Sequence, residues 1–151
     1  MQVLDQGHLL WGMSQLFIKE FMDTTTTTSH AKGEILIHEG DPASHFYTLI
    51  QGSIKLGIGE TGQEVYVVNQ PGEVFGWSSL MNRDVYTASA ECLEPTKLLK
   101  IDKEKLEKLL EKEPANGITF FKNLAQTLGN RLLRSYHIIS EAARLQKKSN
   151  T

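Results

Sequence analysis

Between Ala31 and Asp102, turn signals cut short apolar runs roughly every eight to twelve residues, and that spacing leaves few ways to fold. Gly33 precedes a run at 34–38, and Gly40-Asp41-Pro42 precedes one at 45–50. Gln51-Gly52 joins that run to 53–58, and the stretch from Gly59 to Gly62 precedes 64–68. Gln70-Pro71-Gly72 follows, and two further runs lie at 86–90 and 96–101. Short strands joined by Gly- and Pro-bearing turns are the signature of an all-β sandwich or barrel. The alternation in Phe46-Tyr47-Thr48-Leu49-Ile50 and Ile54-Lys55-Leu56-Gly57-Ile58 fits antiparallel strands with one face buried.

Outside this block the period becomes helical. Leu9, Leu10, Met13, Leu16, Phe17 and Phe21 recur at spacings of three and four, which predicts an amphipathic helix over 9–22. Thr24 to Thr28 is a β-branched run that favours a strand. Asp102 stands as an N-cap before Leu106, Leu109 and Leu110, and Pro114 ends or bends that helix. A second helical pattern runs from Pro114 to Gln146, about 50 Å at 1.5 Å per residue. Phe121, Ala125, Leu128, Leu132, Ser135, Ile139 and Ala142 alternate steps of four and three, the spacing of a coiled-coil seam. Ile118, Phe120, Leu124 and Ile138 lie off that seam. Two apolar faces imply two partners: the barrel and a second copy of the chain in a homodimer. The alternative is one broad core-facing stripe in a monomer. The expected organisation is one domain over 1–151, with a helical segment at 1–23, a barrel at 24–102 and helices at 103–146.

Composition removes several function classes. The net charge of −2 gives no field that draws in nucleic acid. One cysteine, Cys92, excludes a disulfide framework and the usual cysteine-ligated metal sites, and suits a reducing, cytoplasmic compartment. None of His8, His30, His38, His45 and His137 stands at metal-site spacing, so no metal is expected. No basic leader precedes a long apolar run, and no stretch of eighteen apolar residues exists, so neither secretion nor a membrane partner is expected. Nucleophile elbows, phosphate loops and paired carboxylates are all missing, so no catalytic residue is assigned and no enzyme is expected.

The most informative stretch is Pro71-Gly72-Glu73-Val74-Phe75-Gly76-Trp77-Ser78-Ser79-Leu80, followed after five residues by Tyr86-Thr87-Ala88-Ser89-Ala90. It resembles the phosphate-binding cassette of the cyclic-nucleotide-binding domains, in the branch of the cyclic-AMP receptor and fumarate–nitrate regulators. Lys32-Gly33-Glu34, Glu39-Gly40-Asp41 and Gln51-Gly52-Ser53-Ile54 match the barrel turns of the same family, so the resemblance covers about residues 20 to 146. It implies a mainly β fold, a double-stranded β-helix (jelly-roll) barrel with a short N-terminal and a long C-terminal helix. It also implies a non-enzymatic ligand-sensing domain for cyclic AMP or cyclic GMP, in which the ligand moves the long helix against the barrel.

On that resemblance a short helix over 76–81 presents backbone amides to an anion, Gly76 permits close approach, and the Thr87 hydroxyl reaches a phosphate oxygen. The chain departs from the family at both charged positions. Trp77 stands where the family has a ribose-binding glutamate, and Tyr86 where it has a phosphate-binding arginine. Each lost charged hydrogen bond is worth roughly 1.5–3 kcal/mol, so both together weaken a cyclic nucleotide by roughly three or more powers of ten. Two readings stay open. One is a sensor for a nucleotide or another small anionic or aromatic ligand, held by Gly76, Trp77, Ser78, Ser79, Tyr86 and Thr87, with Arg131 or Arg134 of the long helix supplying the missing cation. Haem is a minor variant of it. The other is a ligand-free interaction and dimerisation module with a degenerate pocket, working through a separate effector protein. Relatives that regulate transcription carry a helix-turn-helix after the long helix. Only five residues follow the helical pattern that ends at Gln146, so direct DNA binding is not expected.

Overall fold

A computed structural model describes residues 9–149; residues 1–8, His8 among them, and residues 150–151 lie outside the described part. Eight strands form two antiparallel four-stranded sheets closed into a jelly roll: β1 (Thr25–His30), β2 (Ile35–Ile37), β3 (His45–Gln51), β4 (Ile54–Ile58), β5 (Gln63–Val68), β6 (Val74–Phe75), β7 (Ser89–Cys92) and β8 (Thr96–Asp102). One sheet runs β1-β8-β3-β6 and the other β2-β7-β4-β5. Among the described residues three helices flank them: α1 (Gln15–Asp23), α2 (Lys103–Lys112) and α3 (Pro114–Ser149). No described helix is long and apolar enough to cross a membrane.

Two apolar clusters share the first sheet. Leu49, Ile54, Val68, Phe75, Ala90, Cys92 and Leu98 fill the space between the sheets. Phe46, Leu99 and Ile101 pack on its other face with Phe17 and Phe21 of α1, Leu106 of α2, and Phe120 and Leu124 of α3. Strand β3 is therefore covered on both faces, with Phe46 to Leu49 all buried, and is not the half-exposed strand that its alternation suggested. Side chains alternate across a strand, so Phe46 meets the helices while Tyr47 and Leu49 meet the barrel interior. The threonine-rich strand β1 pairs with β8 alone, at the edge of its sheet, which suits its polar outward positions.

Caps set the helix boundaries. Ser14 Oγ accepts the Phe17 N–H at 3.1 Å, so α1 starts at Gln15 and not near Leu9 as the periodicity predicted. Leu9 to Gly12 form a turn whose Leu9 and Trp11 carbonyls each accept a 2.9 Å hydrogen bond from Asn123 Nδ2 of α3. Asp102 caps α2 through the Lys105 N–H at 3.1 Å. Pro114 opens α3 where its missing N–H costs nothing. Gly117 lets α3 cross close to α2, since a Cβ there would meet the Leu110 carbonyl at 3.1 Å.

The faces of α3 differ from the expected division. Phe120 and Leu124 are buried against the barrel, with Leu128 partly so, but Ile118 and Ile138 of the same off-seam set are exposed at 71% and 63%. Residues 132–149 are exposed throughout, so the helix runs past the barrel. Its 36 residues span about 54 Å.

Candidate functional site

Strand β6 delivers the chain to Gly76, which turns at φ 78°. That left-handed backbone suits glycine, and a Cβ would meet both the His45 carbonyl and Tyr47 Cδ2 at 3.1 Å. Next comes one 3-10 turn, Trp77–Leu80, in place of the longer helix expected over 76–81. Ser79 closes it internally, with its Oγ and N–H both donating to the Gly76 carbonyl at 2.8 and 3.2 Å. Ser79 is fully buried and is taken up by the turn.

An exposed loop over 81–85 leads to Tyr86. Tyr86 and Thr87 precede β7, which starts only at Ser89, so the strand expected over 86–90 begins later. Backbone bonds hold this stretch against the 40–43 turn instead: Tyr86 N–H donates to the Asp41 carbonyl, and Gly40 N–H to the Tyr86 carbonyl, each at 2.9 Å. The Tyr86 ring then points inward, 6% exposed. Its hydroxyl donates to the His45 carbonyl at 2.6 Å and accepts the His45 N–H at 2.9 Å. Both hydrogen-bonding roles of the phenol are thus taken by one residue of β3.

The space left is small. Gly76, Trp77, Ser78, Tyr86 and Thr87 come together with Ile37, Leu56, Ala88 and Ala90 around a cavity of about 20 Å³. That is room for about one water molecule, against the hundreds of Å³ of a typical small-ligand pocket. Ser78 and Thr87 hydroxyls face each other across 3.4 Å, and none of the described lining residues carries a positive charge.

Both arginines lie outside that cavity. Arg131 Nη2 donates to the Val74 carbonyl, and the guanidinium stacks 4.6 Å from the Tyr66 ring centre and 5.2 Å from that of Trp77. Burial holds the Arg131 guanidinium below the usual arginine range, opposed by Tyr66 and Glu73 beside it. Arg134 Nη1 donates to the Tyr66 hydroxyl at 3.2 Å. Tyr66 in turn donates to Glu73 Oε1 at 2.5 Å, and Glu73 Oε2 accepts the N–H groups of Asn69 and Gln70 at 3.0 and 2.9 Å. Tyr66 belongs to this cluster without having been singled out; only its place on a strand facing the long helix could have marked it. Among the described residues, no group of three or more His, Cys, Asp or Glu could hold a metal ion.

A family model for the cyclic nucleotide-binding domain matches residues 27–113, more than half of the 151. The chain belongs to the cyclic-nucleotide-binding domain family. Within that family it is 34% identical over 85 residues to the transcriptional activator protein anr of Pseudomonas aeruginosa, covering 55% of this chain and 34% of that protein. A solved cyclic nucleotide-binding domain from Methylobacillus flagellatus superposes with TM-score 0.79 at 22% identity, over 93% of this chain and 80% of that one. The N-terminal domain of a transcriptional regulator from Streptomyces coelicolor superposes with TM-score 0.70 at 27% identity, over 85% of this chain and 93% of that one. The chain spans only 18% to 34% of the length of the curated relatives it matches.

The phenols of this cyclic-nucleotide-binding domain make two outcomes measurable. Tyr86→Phe leaves the His45 N–H and carbonyl without their partner at nearly constant volume. The expected cost is about 1–2 kcal/mol, read as a lower denaturant midpoint at unchanged slope; an unchanged midpoint would show that the bonds contribute nothing. Burial and the neighbouring Tyr86 push the Tyr47 phenol from 10.0 to about 12, and burial also raises those of Tyr66 and Tyr86. The folded state then holds protons that the unfolded chain has lost. Stability is full below pH 10.0 and falls as pH rises toward about 12. Melting temperature across that window should decline less steeply in Tyr47→Phe than in the unaltered chain.

Proposed function

We propose that this chain is a non-enzymatic regulatory domain whose nucleotide pocket is filled by its own Tyr86 and Trp77 and whose output surface is α3. The carrying observation is the cavity of about 20 Å³ that remains once the Tyr86 hydroxyl has bonded to His45. A cyclic nucleotide would have to displace a buried phenol, and would then meet neither a cation for its phosphate nor a carboxylate for its ribose. Arg131 and Arg134 are committed to Tyr66, Glu73, Trp77 and Val74, which weighs against their supplying that cation. A cytoplasmic setting agrees with the lone buried Cys92 thiol.

One observation favours a second reading, a sensor for a small anionic or aromatic ligand. Ser78 and Thr87 hydroxyls already face the cavity, and the exposed loop before Tyr86 offers a route for the ring to swing out. Calorimetric titration with cyclic AMP and cyclic GMP separates the two. The filled pocket predicts no saturable heat up to millimolar nucleotide. Micromolar binding would replace it with the sensor reading.

The exposed seam on α3 supports a homodimer. Phe121, Leu132 and Ile139 are 44%, 52% and 65% exposed, large apolar side chains recurring along one face of α3. Sedimentation velocity should show a dimer that Leu132→Glu with Ile139→Glu converts to a folded monomer. A monomer at every concentration of the unaltered chain would leave α3 to a separate effector protein.

A further inference from the structure

Trp77 belongs to two structures at once. Its indole lines the small cavity, and it packs against both the interior cluster and the helix-side cluster. Arg131 of α3 lies over that indole, sandwiched against Tyr66. The Arg131 side chain is only 11% exposed. Its hydrogen bonding is nevertheless incomplete. Nη2 reaches the Val74 carbonyl, but Nη1 is buried with no hydrogen-bond partner among the described residues. The nearest carboxylate, Glu73, stands 3.9 Å away and already accepts from Tyr66, Asn69 and Gln70.

A buried guanidinium short of a partner recovers little of its desolvation cost. Ring contacts to Tyr66 and Trp77 are then a large part of what keeps it in place. Position along the helix makes this matter. The last fully buried side chain of α3 is Leu124, Leu128 is partly buried, and every described residue after Arg131 is exposed. Arg131 is the final contact of α3 in which a side chain is largely buried. Past it the exposed Arg134 reaches back to Tyr66.

We propose that Arg131 is the positioning residue of α3, a clamp between Tyr66 and Trp77 that fixes the distal helix to the pocket wall and opens when Trp77 shifts. This rests on the reading of α3 as the output surface. It adds the route: one indole is both the wall of the cavity and the floor of the clamp. Lysine cannot substitute, because it carries charge without a planar face. Trp77→Phe keeps an aromatic face under the guanidinium, and Trp77→Leu does not.

The test is a distance distribution between spin labels on Lys97→Cys of β8 and Ser140→Cys of α3, both exposed positions, in a pair diluted with unlabelled protein. Cys92 is 1% exposed and stays unlabelled. The unaltered clamp should give one narrow distribution. Arg131→Lys, Arg131→Met and Trp77→Leu should each broaden it at least twofold, and Trp77→Phe should restore it. Arg131→Met should keep or raise the thermal midpoint, because it removes a buried guanidinium whose Nη1 has no hydrogen-bond partner among the described residues; a purely structural role predicts a fall. Unchanged distributions in Arg131→Met and Trp77→Leu would overturn the clamp. If Arg131→Met does not fold, the Trp77→Leu and Trp77→Phe pair decides alone. Nucleotide binding in the calorimeter would sink the filled-pocket reading and leave the clamp standing, so the two fail separately.

Discussion

Strands β3 and β8 are covered on both faces, and most of the molecule is arranged by that constraint. Their pairing runs from His45 opposite Asp102 to Gln51 opposite Lys97. One face of the pair closes the barrel and the other carries the helices. At the His45–Asp102 end the two functions meet. Asp102 caps α2, the Lys103 N–H donates to the Ser44 carbonyl at 3.0 Å, and His45 holds the Tyr86 phenol through both of its backbone groups. The Tyr86 phenol and the helical layer are thus anchored within a few residues of one another.

A phenol at position 86 gives the cavity wall a group that an arginine there could not. An arginine facing an empty pocket needs an anion, because an isolated buried cation is costly. A phenol can satisfy itself on the backbone, and Tyr86 does so with one donor and one acceptor. A phenol is neutral through the physiological range, and burial raises its pKa further. Trp77 adds apolar area to the same wall. The result is a pocket whose residues satisfy each other without an occupant. Its lining hydroxyls, Ser78 and Thr87, are the remaining polar feature at which a ligand's hydrogen bonds would be aimed.

Much of this was legible from the residues. The turn spacing between Ala31 and Asp102 located the strands because Gly and Pro mark turns for reasons internal to the backbone. Gly76 was expected where the backbone nears a ligand; in the structure its φ of 78° and the closeness of His45 and Tyr47 call for glycine on packing grounds. What escaped depended on partners far away in the chain. The turn at Leu9 to Gly12 is held by Asn123, more than a hundred residues on, so local periodicity extended the helix through it. The inward swing of Tyr86 depends on His45, forty-one residues earlier. Ile118 and Ile138 share an apolar pattern with Phe120 and Leu124, but periodicity cannot say where the barrel ends, and beyond that edge an apolar face has nothing to pack on.

That edge is what gives α3 its character. A helix docked along its whole length would be held by many apolar contacts, each worth roughly 1.5–3 kcal/mol per fully buried side chain, and no single residue would decide its position. Here full burial is confined to the first few turns, at Gly117, Phe120 and Leu124, and partial burial ends at Arg131. Helix rigidity then works as a lever: a small rotation at the docked end becomes a displacement of many ångströms at Ser149, about 54 Å from Pro114. Control of that rotation falls to whatever contact lies nearest the edge of the barrel. Arg131 holds that place, and the surface under it is Trp77, a wall of the same cavity that Tyr86 fills.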